Sequence, residues 1–114
     1  MKKNKSIIHS TKTKTSISNY AFINREDLTN IVLQDGIKSI GERAFAKCNN
    51  LRKITLTESL EFIGASAFSK CENLEEVILP KSLKKIGKQL FLNCKKLKKS
   101  KYSICNTTIA GRML

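Results

Sequence analysis

The chain has 114 residues, 40% hydrophobic and only 6% aromatic, with no Trp and a formal net charge of +13. That length holds one small domain, and no apolar run approaches the roughly 18–20 residues that a membrane-spanning helix requires. Residues 1–25 carry six cations and no acid, residues 26–76 six cations against nine acids, and residues 77–114 ten cations and no acid. The excess charge therefore sits at the two ends of a mildly acidic middle, a distribution found in solvated tails and in polyanion-facing surfaces.

Residues 1–13 are expected to form a disordered basic leader. Met1-Lys2-Lys3-Asn4-Lys5 begins like an export signal, but only Ile7 and Ile8 precede His9, so the apolar central region is missing. A cytoplasmic location is favoured, and an acid-free Ser/Thr/Lys start is also compatible with organelle targeting. Residues 14–27 then form a degenerate unit. Ile17 lies 23 residues before Ile40, and Ala21-Phe22 lies 23 before Ala44-Phe45, with Ser18 and Arg25 in what become glycine and cysteine positions. Full units occupy 28–50, 51–73 and 74–96. Residues 97–102 open a further turn, with Tyr102 in the slot of Leu33, Leu56 and Leu79, and 103–114 form an irregular tail.

A period of 23 residues held through three copies marks a solenoid, in which one coil cannot bury its own apolar face and stacks on its neighbours. Within a unit, Leu28-Thr29-Asn30-Ile31-Val32-Leu33 and its copies at 51–56 and 74–79 predict a short strand with alternate residues inward. Gln34-Asp35-Gly36, Thr57-Glu58-Ser59 and Pro80-Lys81-Ser82 supply the turn. Gly41, Gly64 and Gly87 mark a place where the backbone bends sharply or approaches another coil. The segment ending in Cys48, Cys71 or Cys94 has the length of one helical turn, with Phe45, Phe68 and Phe91 as a buried spine.

The string Ile-Gly-x-x-Ala-Phe-x-x-Cys-x-Asn-Leu-x-x-(Ile/Val)-x-Leu, present at 40–56 and 63–79, resembles the BspA-like class of leucine-rich repeats. The resemblance covers residues 17–102. It implies a leucine-rich-repeat solenoid: a right-handed superhelix with a short parallel strand ladder on one face and turns or single helical turns on the other. It also implies a non-enzymatic binding protein, since members of that family are typically cell-surface or secreted binders.

Candidate chemistry is sparse. Cys48, Cys71 and Cys94 should form a column with neighbours about 4.8 Å apart. The outer two are then too distant to share one tetrahedral zinc, and in-register side chains orient poorly for disulfides. The expectation is buried thiols donating to backbone carbonyls, with Cys105 out of phase. The single histidine, His9, falls in the leader, so no nucleophile–base pair can be assembled on the scaffold. No catalytic residue, cofactor site or metal site is assigned.

Charge columns are more informative. Stacking places Glu75 and Glu76 between Arg52 and Lys53 on one side and Lys98 and Lys99 on the other, and Glu61 between Lys38 and Lys84. Val32, Thr55 and Ile78 form an outward row, and Phe62 shares an exposed column with Ser39 and Lys85. A protein partner is therefore expected at Val32, Arg52, Lys53, Thr55, Phe62, Glu75, Glu76, Ile78, Lys98 and Lys99. The alternatives are a salt-sensitive polyanion site at Lys81, Lys84, Lys85, Lys88, Lys95, Lys96 and Lys101, or a remnant of a longer array. Self-association through the open last rung would relieve its unpaired edge.

Overall fold

A computed structural model of the chain describes residues 15–97 in full and residues 5–8 as backbone. Eight short strands follow one another: β1 (Lys5–Ile8), β2 (Ser16–Ile17), β3 (Asn30–Leu33), β4 (Ser39–Ile40), β5 (Lys53–Thr55), β6 (Phe62–Ile63), β7 (Glu76–Ile78) and β8 (Lys85–Ile86). They form two parallel ladders, β1-β3-β5-β7 and β2-β4-β6-β8. Ile31 pairs with Ile54 and Ile54 with Val77, while Ile17, Ile40, Ile63 and Ile86 align in the second ladder. Each of these steps is one 23-residue period.

The single expected ladder is therefore two. The second was hidden because each of its strands is two residues long, too short for alternation to show, and β4, β6 and β8 end against a glycine. One residue per strand turns inward there, and Ile17, Ile40, Ile63 and Ile86 are all buried. In the first ladder the sequence pattern holds: Ile31, Ile54 and Val77 are buried while Thr55 and Ile78 face out.

β1 corrects the expectation of a disordered leader for residues 5–8. Its register partners run from Lys5↔Asn30 to Ile8↔Leu33, an offset of 25 residues. The extra two residues put this strand out of phase with the 23-residue count. The other expected leader residues, Tyr102, Cys105 and the rest of the tail lie outside the described residues.

Between the second ladder and the next coil, the chain forms consecutive turns and no helix among the described residues. Arg43 and Lys47 have φ of 53° and 60°, Ser66 and Lys70 have 58° and 59°, and Gln89 and Asn93 have 58° and 60°. These left-handed residues break any right-handed helical run. They also turn alternate N–H groups toward the next coil: Arg43, Phe45 and Lys47 donate to Ala65, Ala67 and Ser69 at 3.0, 2.8 and 2.8 Å. Bonds between coils thus replace the local helix.

Phe22, Phe45, Phe68 and Phe91 stack ring on ring, with centroids 5.2, 5.6 and 6.0 Å apart in successive pairs. Phe45 and Phe68 are fully buried. The recurrent glycines are explained by space. A Cβ on Gly64 would lie 2.6 Å from Glu42 N and 2.7 Å from Gly41 C, and one on Gly87 would lie 2.3 Å from Ala65 N. Each glycine lets its coil approach the preceding one. Gly36, at φ 104°, is the glycine that needs left-handed backbone.

Three polar columns complete the coil-to-coil bonding. Cys48, Cys71 and Cys94 donate their thiols to the carbonyls of Phe22, Phe45 and Phe68 at 3.2, 3.1 and 3.0 Å, as the sequence pattern predicts. Asn50 and Asn73 donate to the carbonyls of Glu26 and Asn49 at 2.8 and 2.7 Å. Ser59 and Ser82 donate to those of Ile37 and Leu60 at 2.9 and 2.5 Å. Among the described residues no buried side-chain nitrogen or oxygen lacks a partner, so the interior is rigidly specified.

Candidate functional site

The outward residues of the first ladder form two rows, Asn30–Lys53–Glu76 and Val32–Thr55–Ile78, fixed by cross-strand register. Val32 is half-buried, Thr55 is exposed, and Ile78 is 57% exposed, an unusual state for a β-branched aliphatic side chain. A groove of about 250 Å³ opens over β5 and β7. Ile54, Leu56, Ile78 and Pro80 give its apolar lining, and Lys53, Thr55, Glu58 and Glu76 its polar lining. Leu56, Glu58 and Pro80 were not among the expected contacts. They follow the strands, and only the path of the turn carries them back to the groove.

The expected partner residues divide between two surfaces. Lys53, Thr55, Glu76 and Ile78 meet in the groove. Arg52 and Glu75 stand in adjacent rungs, Glu75 N donating to Arg52 O at 2.8 Å, and both are exposed. Phe62 belongs instead to β6 in the second sheet, where its register partners are Ser39 and Lys85. Lys98, Lys99 and Lys101 lie outside the described residues.

Lys81, Lys84, Lys85, Lys88, Lys95 and Lys96 are all exposed. Although residues 77–96 contain no acid, the preceding coil supplies two. Lys84 Nζ lies 3.9 Å from Glu61, and Lys95 Nζ lies 4.0 Å from Glu72. The Glu61–Lys84 column was legible from the period.

At the other end Arg25 forms a forked pair with Asp27 at 2.8 and 2.9 Å and covers the Phe22 ring at 5.7 Å. The Arg25 guanidinium holds the Asp27 carboxyl down to about 2. Burial pushes the Cys94 thiol up to about 11, and the neighbouring Cys48 thiol together with burial raises Cys71 further. Thiols held neutral and bonded to carbonyls are poor nucleophiles and poor metal ligands. Among the described residues no three His, Cys, Asp or Glu side chains converge on a point, and no helix is long and apolar enough to cross a membrane.

The model of the BspA-type leucine-rich repeat region matches residues 5–114 in six copies. The chain belongs to the BspA-type leucine-rich repeat family. The family match extends to both stretches that the sequence pattern left outside the repeats, 5–13 and 103–114. No curated protein matches the chain by sequence. Solved structures of leucine-rich repeat proteins do resemble it. One from Bacteroides ovatus has a TM-score of 0.74 and 33% identity, covering 82% of this chain and 24% of its own. The pneumococcal vaccine antigen PcpA has a TM-score of 0.70 and 34% identity, covering 83% of this chain and 27% of its own. One from Bacteroides capillosus has a TM-score of 0.70 and 27% identity, covering 84% of this chain and 78% of its own. The chain thus spans about a quarter of the length of the first two. In this BspA-type solenoid the two ladders, the phenylalanine column and the thiol column are the scaffold, and the outward rows differ from one repeat to the next.

Proposed function

We propose that this BspA-type repeat chain is a non-enzymatic interaction module whose strand face engages a partner protein at the groove over β5 and β7. The observation that carries this reading is Ile78, 57% exposed on a ladder whose interior is otherwise fully packed. Leaving a β-branched apolar side chain in water forgoes about 1.5–3 kcal/mol of burial, which a partner that covers it recovers. Lys53 and Glu76 flank the Thr55–Ile78 row with opposite charges, giving a docking protein fixed register as well as contact. Four strands spaced about 4.8 Å apart present a face narrower than a standard interface of roughly 800 Å² per partner. Few central residues then have to dominate the affinity.

The test is affinity capture from the native source with three baits: the wild-type chain, Ile78→Ser, and Lys84→Gln/Lys85→Gln. A protein held by the wild type and by the double lysine variant, and lost with Ile78→Ser, supports the strand face. Equal retention by Ile78→Ser, with unchanged circular dichroism, overturns it.

A further inference from the structure

A second exposed surface lies on the other sheet, apart from the groove. Phe62 is 44% exposed on β6, although two-residue strands of this ladder otherwise place Ser16, Ser39 and Lys85 outward. Backbone bonding brings lysine positions of the adjacent rungs next to β6. Glu61 N and Phe62 N both donate to Lys38 O, at 2.8 and 3.2 Å, and Lys84 N and Lys85 N both donate to Glu61 O, at 2.8 and 3.2 Å. Lys38, Lys84 and Lys85 are exposed, and Lys88 follows just beyond β8. Two acids lie nearby: Glu61 beside Lys84 at 3.9 Å, and Glu42, just beyond β4, paired with Arg43 at 3.2 Å. The patch therefore keeps a surplus of positive charge around a flat, solvent-facing ring.

From this juxtaposition we propose that Phe62, with Lys38, Lys85 and Lys88, forms a binding site for single-stranded nucleic acid, in which one base stacks on the Phe62 ring while the lysines contact flanking phosphates. An aromatic platform beside a cationic track is the arrangement that sequence-tolerant single-strand binders use, because every base has a π-face and every nucleotide a phosphate. A flat lipid surface fits less well. The lysines of this coil follow the chain around it, from Lys81 after β7, past β8, to Lys95 and Lys96 after the turns. Such a path suits a linear polyanion better than a plane. An acidic glycan would use the same charges but presents C–H faces of its sugars to the ring, where a base presents a π-face.

The experiment measures binding of the full chain to a fluorescent single-stranded oligothymidylate, with a sulfated oligosaccharide of matched charge and phosphatidylserine-containing vesicles as parallel probes. Phe62→Ala is expected to weaken oligothymidylate about tenfold and to leave the sulfated oligosaccharide unchanged, while Phe62→Trp preserves binding. Lys85→Gln and Lys88→Gln should each reduce the slope of log affinity against log salt by about 0.7. Ile78→Ser should leave oligothymidylate binding intact, so the outcome here is separate from that of the strand-face reading. Retained affinity in a folded Phe62→Ala variant, equal weakening of both soluble polyanions, or tighter binding to vesicles than to oligothymidylate overturns the proposal.

Discussion

The Cys71 thiol donates to the Phe45 carbonyl at 3.1 Å, across 26 residues of sequence. The same bond recurs in the coils on either side. Cys48 and Cys71 are fully buried in this column and Cys94 is half-buried. With Cys105 replaced by Ser, iodoacetamide should alkylate Cys48 and Cys71 rapidly only after the chain is unfolded, and the half-buried Cys94 sooner than either. The Cys94 pKa is raised, so the fold favours its neutral form; that contribution is complete below the ordinary thiol pKa and is lost as pH rises through about 11. Thermal melts across alkaline pH check the sign, and a shallower loss in Cys94→Ala, where the raised Cys71 thiol still contributes, locates the group.

The aromatic column should dominate stability. Phe68 is fully buried between Phe45 and Phe91. Phe68→Ala is expected to cost about 3–5 kcal/mol in urea unfolding. The half-buried Phe91 should cost less when replaced in the same way.

The glycine column should resist the smallest possible addition. Gly64→Ala puts a methyl group 2.6 Å from Glu42 N and 2.7 Å from Gly41 C. Both are backbone atoms, so no side chain can move aside. A loss of about 1–3 kcal/mol is expected, measured by the same unfolding curves.

Left-handed residues offer a gain. Lys70 is exposed and holds φ at 59°. An L-residue there costs about 1–2 kcal/mol, and glycine's extra unfolded-state entropy offsets about 0.5–1 of it. Lys70→Gly should therefore raise stability by about 0.5–1 kcal/mol, whereas Lys70→Ala should not.

Arg25 and Asp27 give an acid-side prediction. The Asp27 pKa is depressed to about 2 by the Arg25 guanidinium, so their contribution is present above the unfolded carboxylate pKa and disappears as pH falls through about 2. Both side chains are exposed, and salt should screen the effect. Nuclear magnetic resonance titration of the Asp27 carboxyl should show a midpoint near 2, returning to the ordinary range in Arg25→Ala.

Much of this architecture was legible before any coordinates. A strict 23-residue period aligns equivalent side chains, so the phenylalanine spine, the thiol-to-carbonyl bonds, the inward Ile/Leu positions and the Glu61–Lys84 column all follow from counting. Counting failed where the period or the pattern was too short. β1 pairs at an offset of 25 residues, and each strand of the second ladder offers one inward residue, which is no alternation. The turns after Gly41 and Gly64 looked helical by length, because left-handed φ at Arg43, Lys47, Ser66 and Lys70 leaves no mark in side chains that are not glycine.

The amino-acid order alone determined what stacks on what, because repetition at constant spacing makes neighbours of identical positions. It could not decide which outward residues share a surface. Three-dimensional packing separated Phe62 from Ile78 onto different sheets and returned Leu56 and Pro80 to the groove. Those relations depend on how each turn redirects the chain, and backbone dihedrals at the turns are chosen by bonding between coils, which no single repeat encodes.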